Sequence, residues 1–368
     1  MCSRCASLTR MGCNGPCVML FAKDPAPIAA TGRVMSEQAV CCGECGGPAQ
    51  RVYEDLAERH FGGSGLWSIA YCERCDCYRL DPAPSSAEIR DSYRDYYTHD
   101  VSPGAGFEGW LKRLVPAVRL GYGDRVGSWE RACGRILAAV PPLRTIGERS
   151  ALWLEGRQRG RVLDVGCGSG EMMLRLADLG WEVAGVEFDD EAARLAADRT
   201  GAPVVASLDE LDERAFDAVI LDHVVEHLAA AETTLRSCRR VLQPGGRLAL
   251  ATPNPSSAAR ARFGAHWLHW DPPRHLALRG ERGLRALASR AGFEVEQTFS
   301  CAGSAHFVWY ASRLLEREGA LPGIAVRGLS TTERLAGLRF WLEELARVAR
   351  GEDCGEEWIV LARRPVES

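Results

Sequence analysis

Three glycines, each separated from the next by one residue, interrupt an apolar stretch in the sequence RVLDVGCGSGEMMLRL, residues 161–176. The apolar run before the glycines is typical of a buried strand, and the spacing of apolar residues after them is typical of a helix. A glycine-rich turn between a strand and a helix lets the backbone approach a bound nucleotide closely. The stretch therefore predicts a nucleotide-binding turn at the end of a strand.

The spacing and charge of this turn discriminate between two kinds of nucleotide cofactor. A dinucleotide site has the pattern GxGxxG and places a pyrophosphate at the start of the helix. Here the glycines are Gly166, Gly168 and Gly170, and Glu171 stands at the sixth place, where a carboxylate repels phosphate. S-adenosylmethionine has no phosphate, and Asp164 can hold its ammonium group directly or through water. The charges therefore favour S-adenosylmethionine.

An acidic residue also ends the second predicted strand. Glu187, in VAGVEFDD, lies 23 residues after Asp164. A carboxylate at this place in a nucleotide-binding fold grips the ribose hydroxyls. We therefore predict that Glu187 binds the ribose of the cofactor.

Cysteines form a second group with chemical potential. Ten of the fifteen lie within the first 77 residues, and two CxxC pairs there are 26 residues apart. Paired cysteines at this spacing indicate a closed tetrahedral site for structural zinc. The predicted ligands are Cys42, Cys45, Cys72 and Cys75, with the adjoining Cys41 and Cys77 as alternatives.

Histidines dominate the third group, in the stretches LDHVVEHL (221–228) and HWLHWDPPRHL (266–276). Methyl transfer to oxygen or to an acidic carbon needs a group that takes the acceptor's proton, and histidine suits that role near neutral pH. His275 is the first choice because it follows a rigid Pro-Pro pair and Arg274, which can orient an anionic substrate group. His227 is the second choice, and His223 is the third.

The elements that position these groups alternate between strand and helix from residue 161 onward, which predicts a doubly wound, mostly parallel α/β sheet. Ligands of such sheets bind outside the carboxyl ends of the strands. The stretches LDHVVEHL, ATPN (251–254) and HWLHWDPPRHL are expected to converge there. The expected organisation is a disordered Cys-rich extension over 1–40, a zinc-ribbon-like domain over 41–82, a helical linker or lid over 83–158, and a cofactor-binding domain over 159–368 with a helical insertion at 303–350.

On the motifs VLDVGCGSG, GVEFD, FDAVILDHVVEHL, RVLQPGGRLALATPN and AGFEV, the chain resembles class I S-adenosylmethionine-dependent methyltransferases. The two CxxC pairs, the tyrosines at 93, 96 and 97, and DPPRHL resemble the subgroup with an N-terminal zinc ribbon. The resemblance implies a seven-stranded, Rossmann-like sheet whose last strand is antiparallel. It implies cofactor contacts among Asp164, Gly166, Cys167, Gly168, Gly170, Glu187, Phe188, Leu208, Asp222 and His223.

The composition of the chain argues against nucleic acid and membrane as binding partners. The net charge of −4 gives no global attraction to nucleic acid, no apolar run approaches the ~20 residues of a membrane span, and no secretory signal is recognisable, so a cytoplasmic protein is expected. The leading prediction is methyl transfer to a hydroxyl or acidic carbon of a sugar, glycolipid or secondary metabolite.

Two alternatives to this function remain. One is an RNA methyltransferase that uses the ribbon to recognise RNA, and the other is a cofactor-binding scaffold without activity. The 303–350 helices either pair with a second copy or cap the site.

Overall fold

The computed structural model of this protein describes residues 39–60, 65–92, 107–321 and 328–366. Most of the extension expected over residues 1–40 lies outside the described residues, as do the tyrosines at positions 93, 96 and 97. Ala39 and Val40, which the sequence places in that extension, already belong to the first strand.

The amino-terminal part of the described chain folds as an antiparallel sheet. Its strands are β1 (Ala39–Cys41), β2 (Pro48–Ala57), β3 (Leu66–Cys72) and β4 (Cys77–Asp81). Consecutive strands pair with one another. One CxxC pair lies in the turn between β1 and β2, and the other spans the end of β3 and the turn before β4. This arrangement is the ribbon that the cysteine spacing predicts.

Helices connect the ribbon to the second sheet. Within the described part of residues 83–158 they are α1 (Ser86–Ser92), α2 (Phe107–Arg119), α3 (Ser128–Ala139) and α4 (Pro141–Arg149). The two prolines that open α4 are tolerated because the first helical turn has no intrahelical partner for its N–H groups. The helix ends at Arg149, which reaches the candidate site described below.

The second sheet has seven strands in the order β11-β12-β9-β8-β5-β6-β7. These strands are β5 (Arg161–Val165), β6 (Glu182–Val186), β7 (Val204–Val205), β8 (Phe216–Asp222), β9 (Leu242–Pro253), β11 (Glu294–Cys301) and β12 (Glu357–Arg363), and β10 (Ala277–Arg279) belongs to the other sheet. All pairs among β5 to β9 are parallel, and β12 is antiparallel to both of its neighbours. The predicted Rossmann-like sheet with an antiparallel last strand is confirmed.

Helices cover both faces of this sheet, as the alternating apolar pattern requires. Val162 packs with Met173 and Ile220 on one face, and the next residue, Leu163, packs with Val219 and Leu235 on the other. The helices are α5 (Glu171–Asp178), α6 (Asp190–Thr200), α7 (Ala231–Val241), α8 (Ala258–Phe263), α9 (Glu281–Arg290), α10 (Ala305–Glu318) and α11 (Thr331–Ala349), the last two within the insertion predicted at 303–350. Among the described helices, none is both long enough and apolar enough to cross a membrane.

The ribbon and the second sheet are joined more closely than the sequence indicates. Strand β10, which follows the histidine-rich stretch 266–276, pairs antiparallel with β4 and extends the ribbon to five strands. An apolar cluster that includes Trp67 from the ribbon and Trp267 and Trp309 from the carboxyl-terminal part fills the junction. The ribbon therefore helps to fix the segment that carries His275.

Candidate functional site

The glycine turn lies between β5 and α5 and is shaped by left-handed backbone. Gly166, Gly168 and Gly170 have φ angles of 74°, 51° and 81°, which residues with a Cβ rarely adopt. A Cβ on Gly166 would lie 2.6 Å from Cγ2 of Val224, whereas one on Gly168 would face open space. The turn therefore packs tightly against Val224 at Gly166 and has open space beside Gly168.

Glu187, at the end of β6, closes onto this turn. Its carboxylate accepts hydrogen bonds from the backbone N–H of Gly168 at 2.9 Å and of Asp189 at 3.0 Å. The side chain is 6% exposed. The structure therefore brings the predicted ribose ligand and the glycine turn together at the carboxyl edge of the sheet.

Negative charge is concentrated beneath the turn. Asp164 is buried, and burial together with the negative charges of Asp222 and Glu187 holds the pKa of its carboxyl well above the usual range. A ligand that brings positive charge relieves this repulsion, and a pyrophosphate increases it. The acidic lining fits the ammonium and sulfonium of S-adenosylmethionine, in agreement with the charge argument from sequence.

The other predicted cofactor residues lie around the same edge, with different exposures. The side chain of Cys167 is buried in the core between the sheet and α5, and that of Leu208 is buried on the opposite face. Phe188 is 67% exposed at the end of β6. Of these three residues, Phe188 alone has an exposed side chain.

Asp222, at the end of β8, is held by an arginine that the sequence analysis missed. Arg149 donates to both carboxylate oxygens of Asp222, at 2.6 and 3.2 Å, and to both oxygens of Glu357, at 2.8 and 3.0 Å. Its position as a basic residue in the last turn of a predicted helix was the available signal, but that signal does not name a partner. The Arg149 guanidinium fixes one carboxylate from β8 and one from β12.

His223 bridges Glu357 and one further carboxylate, that of Glu226. Its Nε2 lies 2.7 Å from Glu357 Oε1, and its Nδ1 lies 3.2 Å from Glu226 Oε1. Burial disfavours the charged ring, but hydrogen bonds to Glu226 and Glu357 outweigh it and raise the pKa of His223 to about 10. Both ring nitrogens are thus engaged as donors, so His223 is the least suited of the three predicted histidines to accept a proton.

His227 and His275 lie side by side, with ring centroids 4.6 Å apart. Nδ1 of His227 is 3.1 Å from the Arg274 carbonyl oxygen, and Nδ1 of His275 is 2.8 Å from the His269 carbonyl oxygen. Since a carbonyl only accepts, each Nδ1 carries the hydrogen and each Nε2 has the lone pair. Burial and the neighbouring His275 lower the pKa of His227 to about 4, so this ring is neutral.

The expectation that Arg274 orients an anionic substrate group is wrong. Arg274 is 1% exposed, and its guanidinium is bound by the carboxylates of Asp271 and Glu58, the latter at 2.6 Å. His60 lies 3.0 Å from the same Asp271. A buried guanidinium needs such partners, and Glu58, from the end of the ribbon's second strand, supplies one across 216 residues of chain.

The four predicted zinc ligands converge. Sγ of Cys42 lies 3.9 Å from that of Cys75, Sγ of Cys45 lies 3.6 Å from that of Cys72, and all four sulfurs are within 4.8 Å of one another. Four thiolates around one zinc, each about 2.3 Å from the ion, are about 3.8 Å apart. The alternatives Cys41 and Cys77 lie outside this group. The geometry thus fits a tetrahedral metal site.

Part of this chain is similar to known methyltransferases. Residues 142–298 match the family model described as a methyltransferase domain. A ubiquinone biosynthesis O-methyltransferase from Cereibacter sphaeroides is 38% identical over 124 residues, 30% of this chain and 50% of the relative. The human mitochondrial protein of that name is 38% identical over 113 residues, 27% of this chain and 31% of the relative. The chain thus spans about half or less of the length of these curated relatives.

Solved structures with a similar fold include an S-adenosylmethionine-dependent methyltransferase from Mesorhizobium loti, with 18% identity, a TM-score of 0.41, and coverage of 60% of this chain and 98% of that one. The [4+2]-cyclase SpnF is 19% identical with a TM-score of 0.42, over 77% of this chain and 98% of that one. The family model, rather than these structures, indicates that residues 142–298 of this chain are similar to a methyltransferase domain.

Proposed function

We propose that this protein transfers a methyl group from S-adenosylmethionine to a hydroxyl oxygen or an acidic carbon of a small-molecule acceptor. The observation that carries the proposal is the closure of Glu187 onto the Gly168 amide above the buried Asp164. This arrangement offers hydrogen-bond acceptors and negative charge at the carboxyl edge of a doubly wound sheet. Both suit a cationic, hydroxyl-bearing cofactor.

Different residues at this edge of the sheet contact different parts of the cofactor. Glu187 holds the ribose hydroxyls, the backbone at Gly168 lies along the methionine part, and Asp164 favours the positive charge of the cofactor. When bound, S-adenosylmethionine supplies an electrophilic methyl group on a positively charged sulfur and leaves as neutral S-adenosylhomocysteine. The protein's remaining task is to orient the acceptor and to receive its proton.

His275 is the first choice for proton acceptor and His227 the second, provided that no metal ion is bound to these two rings. Each has its Nδ1–H anchored on a backbone carbonyl, which fixes the ring and leaves Nε2 as the nitrogen that can accept a proton. His223 shares the edge but has both nitrogens bound to carboxylates. The relatives' names support oxygen as the accepting atom.

The RNA alternative finds no support in the ribbon. Arg51 is paired with Asp81, and Arg79 with Glu44, so these guanidinium groups are already neutralised by the ribbon's own acids. A phosphate-binding surface needs unpaired positive charge. A small-molecule acceptor therefore remains the proposal.

We also propose that Cys42, Cys45, Cys72 and Cys75 bind a structural zinc ion. Four thiolates leave no open coordination position, so the site stabilises the ribbon and takes no part in methyl transfer. The cysteines lie in the two turns of the ribbon, on chain segments that a single ion would hold together. Zinc content of the purified chain tests this assignment.

Replacing Glu187 with alanine is expected to weaken binding of S-adenosylhomocysteine at least tenfold, about 1.4 kcal/mol. The variant removes the carboxylate that grips the ribose, and calorimetric titration measures the change. Glu191→Ala is the matched control, since Glu191 is an exposed acid in the first turn of the neighbouring helix α6. Equal affinity of wild type and Glu187→Ala would remove Glu187 from the cofactor site.

A transfer assay tests the proposed activity. The full chain is incubated with methyl-labelled S-adenosylmethionine and three acceptor pools: nucleotide sugars, phenolic and lipid metabolites, and total RNA. We expect label in one of the small-molecule pools. Label confined to RNA would overturn the proposed acceptor class. Cofactor binding without label in any pool would favour a non-catalytic scaffold.

A further inference from the structure

Glu226, His227 and His275 form a compact group of ligating atoms outside the cysteine cluster. One such atom of each residue lies within 4.8 Å of the other two. Glu226 is fully buried, and the two histidines are half-buried. We propose that this Glu-His-His cluster binds a divalent cation that holds the acceptor's oxygen, an inference that rests on the proposed methyl transfer.

The separations are close to those of a bound ion's ligands. Two ligands that are each about 2.0–2.2 Å from one ion can be at most about 4.4 Å apart. The three ligating atoms lie within 4.8 Å of one another, so contraction by at most a few tenths of an ångström brings each pair below this limit. Side-chain adjustment of that size needs no movement of the backbone.

The histidines are already in the tautomer that a metal requires. Their Nδ1–H groups donate to the carbonyl oxygens of Arg274 and His269, so in each ring Nε2 is the atom with the lone pair. A backbone carbonyl on the distal nitrogen is the usual partner of a metal-ligating histidine, because it fixes the ring and raises the basicity of the ligand atom. Two independent histidines show this arrangement within one cluster.

Hydrogen bonds from Thr252 and Leu276 also hold Glu226 of the cluster in place. Glu226 Oε2 accepts a hydrogen bond of 3.0 Å from the Thr252 hydroxyl, on β9. The backbone N–H of Leu276 donates to the carbonyl oxygen of Glu226 at 2.8 Å, which ties the segment of His275 to that of Glu226. The protein has thus fixed the positions of the ligands from two separate stretches of chain, as a preformed site requires.

The charges around the cluster are compatible with a bound cation, although His223 competes with it for Glu226. His223 shares Glu226 Oε1 at 3.2 Å, but its other nitrogen is held by Glu357 at 2.7 Å. The carboxylates of Glu226, Glu357 and Asp222 together outnumber the two positive groups that pair with them, His223 and Arg149. The local surplus of negative charge favours one further cation.

The ligand set indicates what the ion does. Two imidazoles and one carboxylate leave coordination positions open, as in catalytic sites, and this mixed nitrogen and oxygen set suits Mn²⁺, Fe²⁺, Co²⁺ or Zn²⁺. A hydroxyl bound at an open position has a lowered pKa and loses its proton to solvent. The oxygen then forms the bond to the methyl carbon while the carbon–sulfur bond breaks and its electron pair stays on sulfur. The cluster therefore favours oxygen over carbon as the accepting atom.

Manganese is the probe that separates this cluster from the ribbon, since Mn²⁺ prefers nitrogen and oxygen ligands and does not compete for four thiolates. The full chain, purified with its zinc, is titrated with Mn²⁺ and followed by electron paramagnetic resonance. We expect one bound Mn²⁺ per chain. Glu226→Gln and His275→Gln should each weaken this binding at least tenfold, whereas His306→Gln, on helix α10, should leave it unchanged.

Absence of Mn²⁺ binding to the wild-type chain, or binding that both cluster variants retain, would overturn the inference. Thermal unfolding and S-adenosylhomocysteine affinity are measured on the same samples, so that a misfolded variant is recognised and replaced by Glu226→Asp, which keeps a carboxylate and should keep part of the affinity. Cofactor binding without Mn²⁺ binding refutes the metal site alone. Loss of cofactor binding in the wild-type chain refutes the proposed function itself.

Discussion

Replacing Cys72 with serine is expected to release the ribbon's zinc and to unfold the ribbon. Structural zinc sites of this type contribute apparent binding free energies of about 10–16 kcal/mol, which the folded state loses with the ion. Sγ of Cys72 lies 3.6 Å from that of Cys45 at the centre of the four-sulfur group, so its removal opens the closed shell. This is the largest effect that we expect from a single substitution in the chain.

Unfolding of the ribbon should also lower methyl transfer, because β10, which follows His275 in the chain, pairs with β4 of the ribbon. Zinc content and thermal unfolding measure the loss of the ribbon, and the transfer assay measures the loss of activity. Cys41→Ser is the matched control, since Cys41 is the exposed neighbour that stands outside the cluster. Full zinc content in Cys72→Ser, or equal loss in Cys41→Ser, would contradict the assignment of ligands.

Replacing Arg274 with methionine is expected to lower the free energy of unfolding by about 3–5 kcal/mol. Methionine keeps much of the side chain's length but leaves the carboxylates of Asp271 and Glu58 buried without their common cation. Glu58 comes from the ribbon, so the substitution also weakens the contact between the ribbon and the acceptor side of the site. Denaturant unfolding of the full chain measures the change.

Arg262→Met provides the comparison for this effect. Arg262 pairs with Glu316 at 3.0 Å, but its side chain is 46% exposed. Solvent screens such a pair, and its loss should cost less than about 1 kcal/mol. If both substitutions cost the same, the buried network at Arg274 does not stabilise the junction in the way that its geometry indicates.

Local patterns were enough to predict the glycine turn and the place of Glu187 beside it. Gly166, Gly168 and Gly170 adopt left-handed backbone that glycine alone adopts freely, and Glu187 stands at the end of a short apolar strand. Both signals lie within a few residues of the elements that they define. The CxxC pairs are equally local, because each turn directs two sulfurs to one point.

Contacts between distant segments were not predictable in the same way. Strand β10 has three residues and no periodicity that separates it from a loop, and its pairing with β4 depends on the packing of the whole junction. Arg149 meets Glu357 across 208 residues of chain. Arg274 was expected to orient an anionic substrate group, whereas tertiary packing buries it against two acids of the protein.

Calorimetric titration of the full wild-type chain with S-adenosylhomocysteine, and separately with NAD, tests the central claim most directly. The buried Asp164 and the carboxylate of Glu187 beside the glycine turn disfavour a pyrophosphate and favour a cofactor without phosphate. We predict micromolar binding of S-adenosylhomocysteine and weaker binding of NAD, or none. Tighter binding of NAD, or no binding of S-adenosylhomocysteine, would contradict the assignment of this site to S-adenosylmethionine.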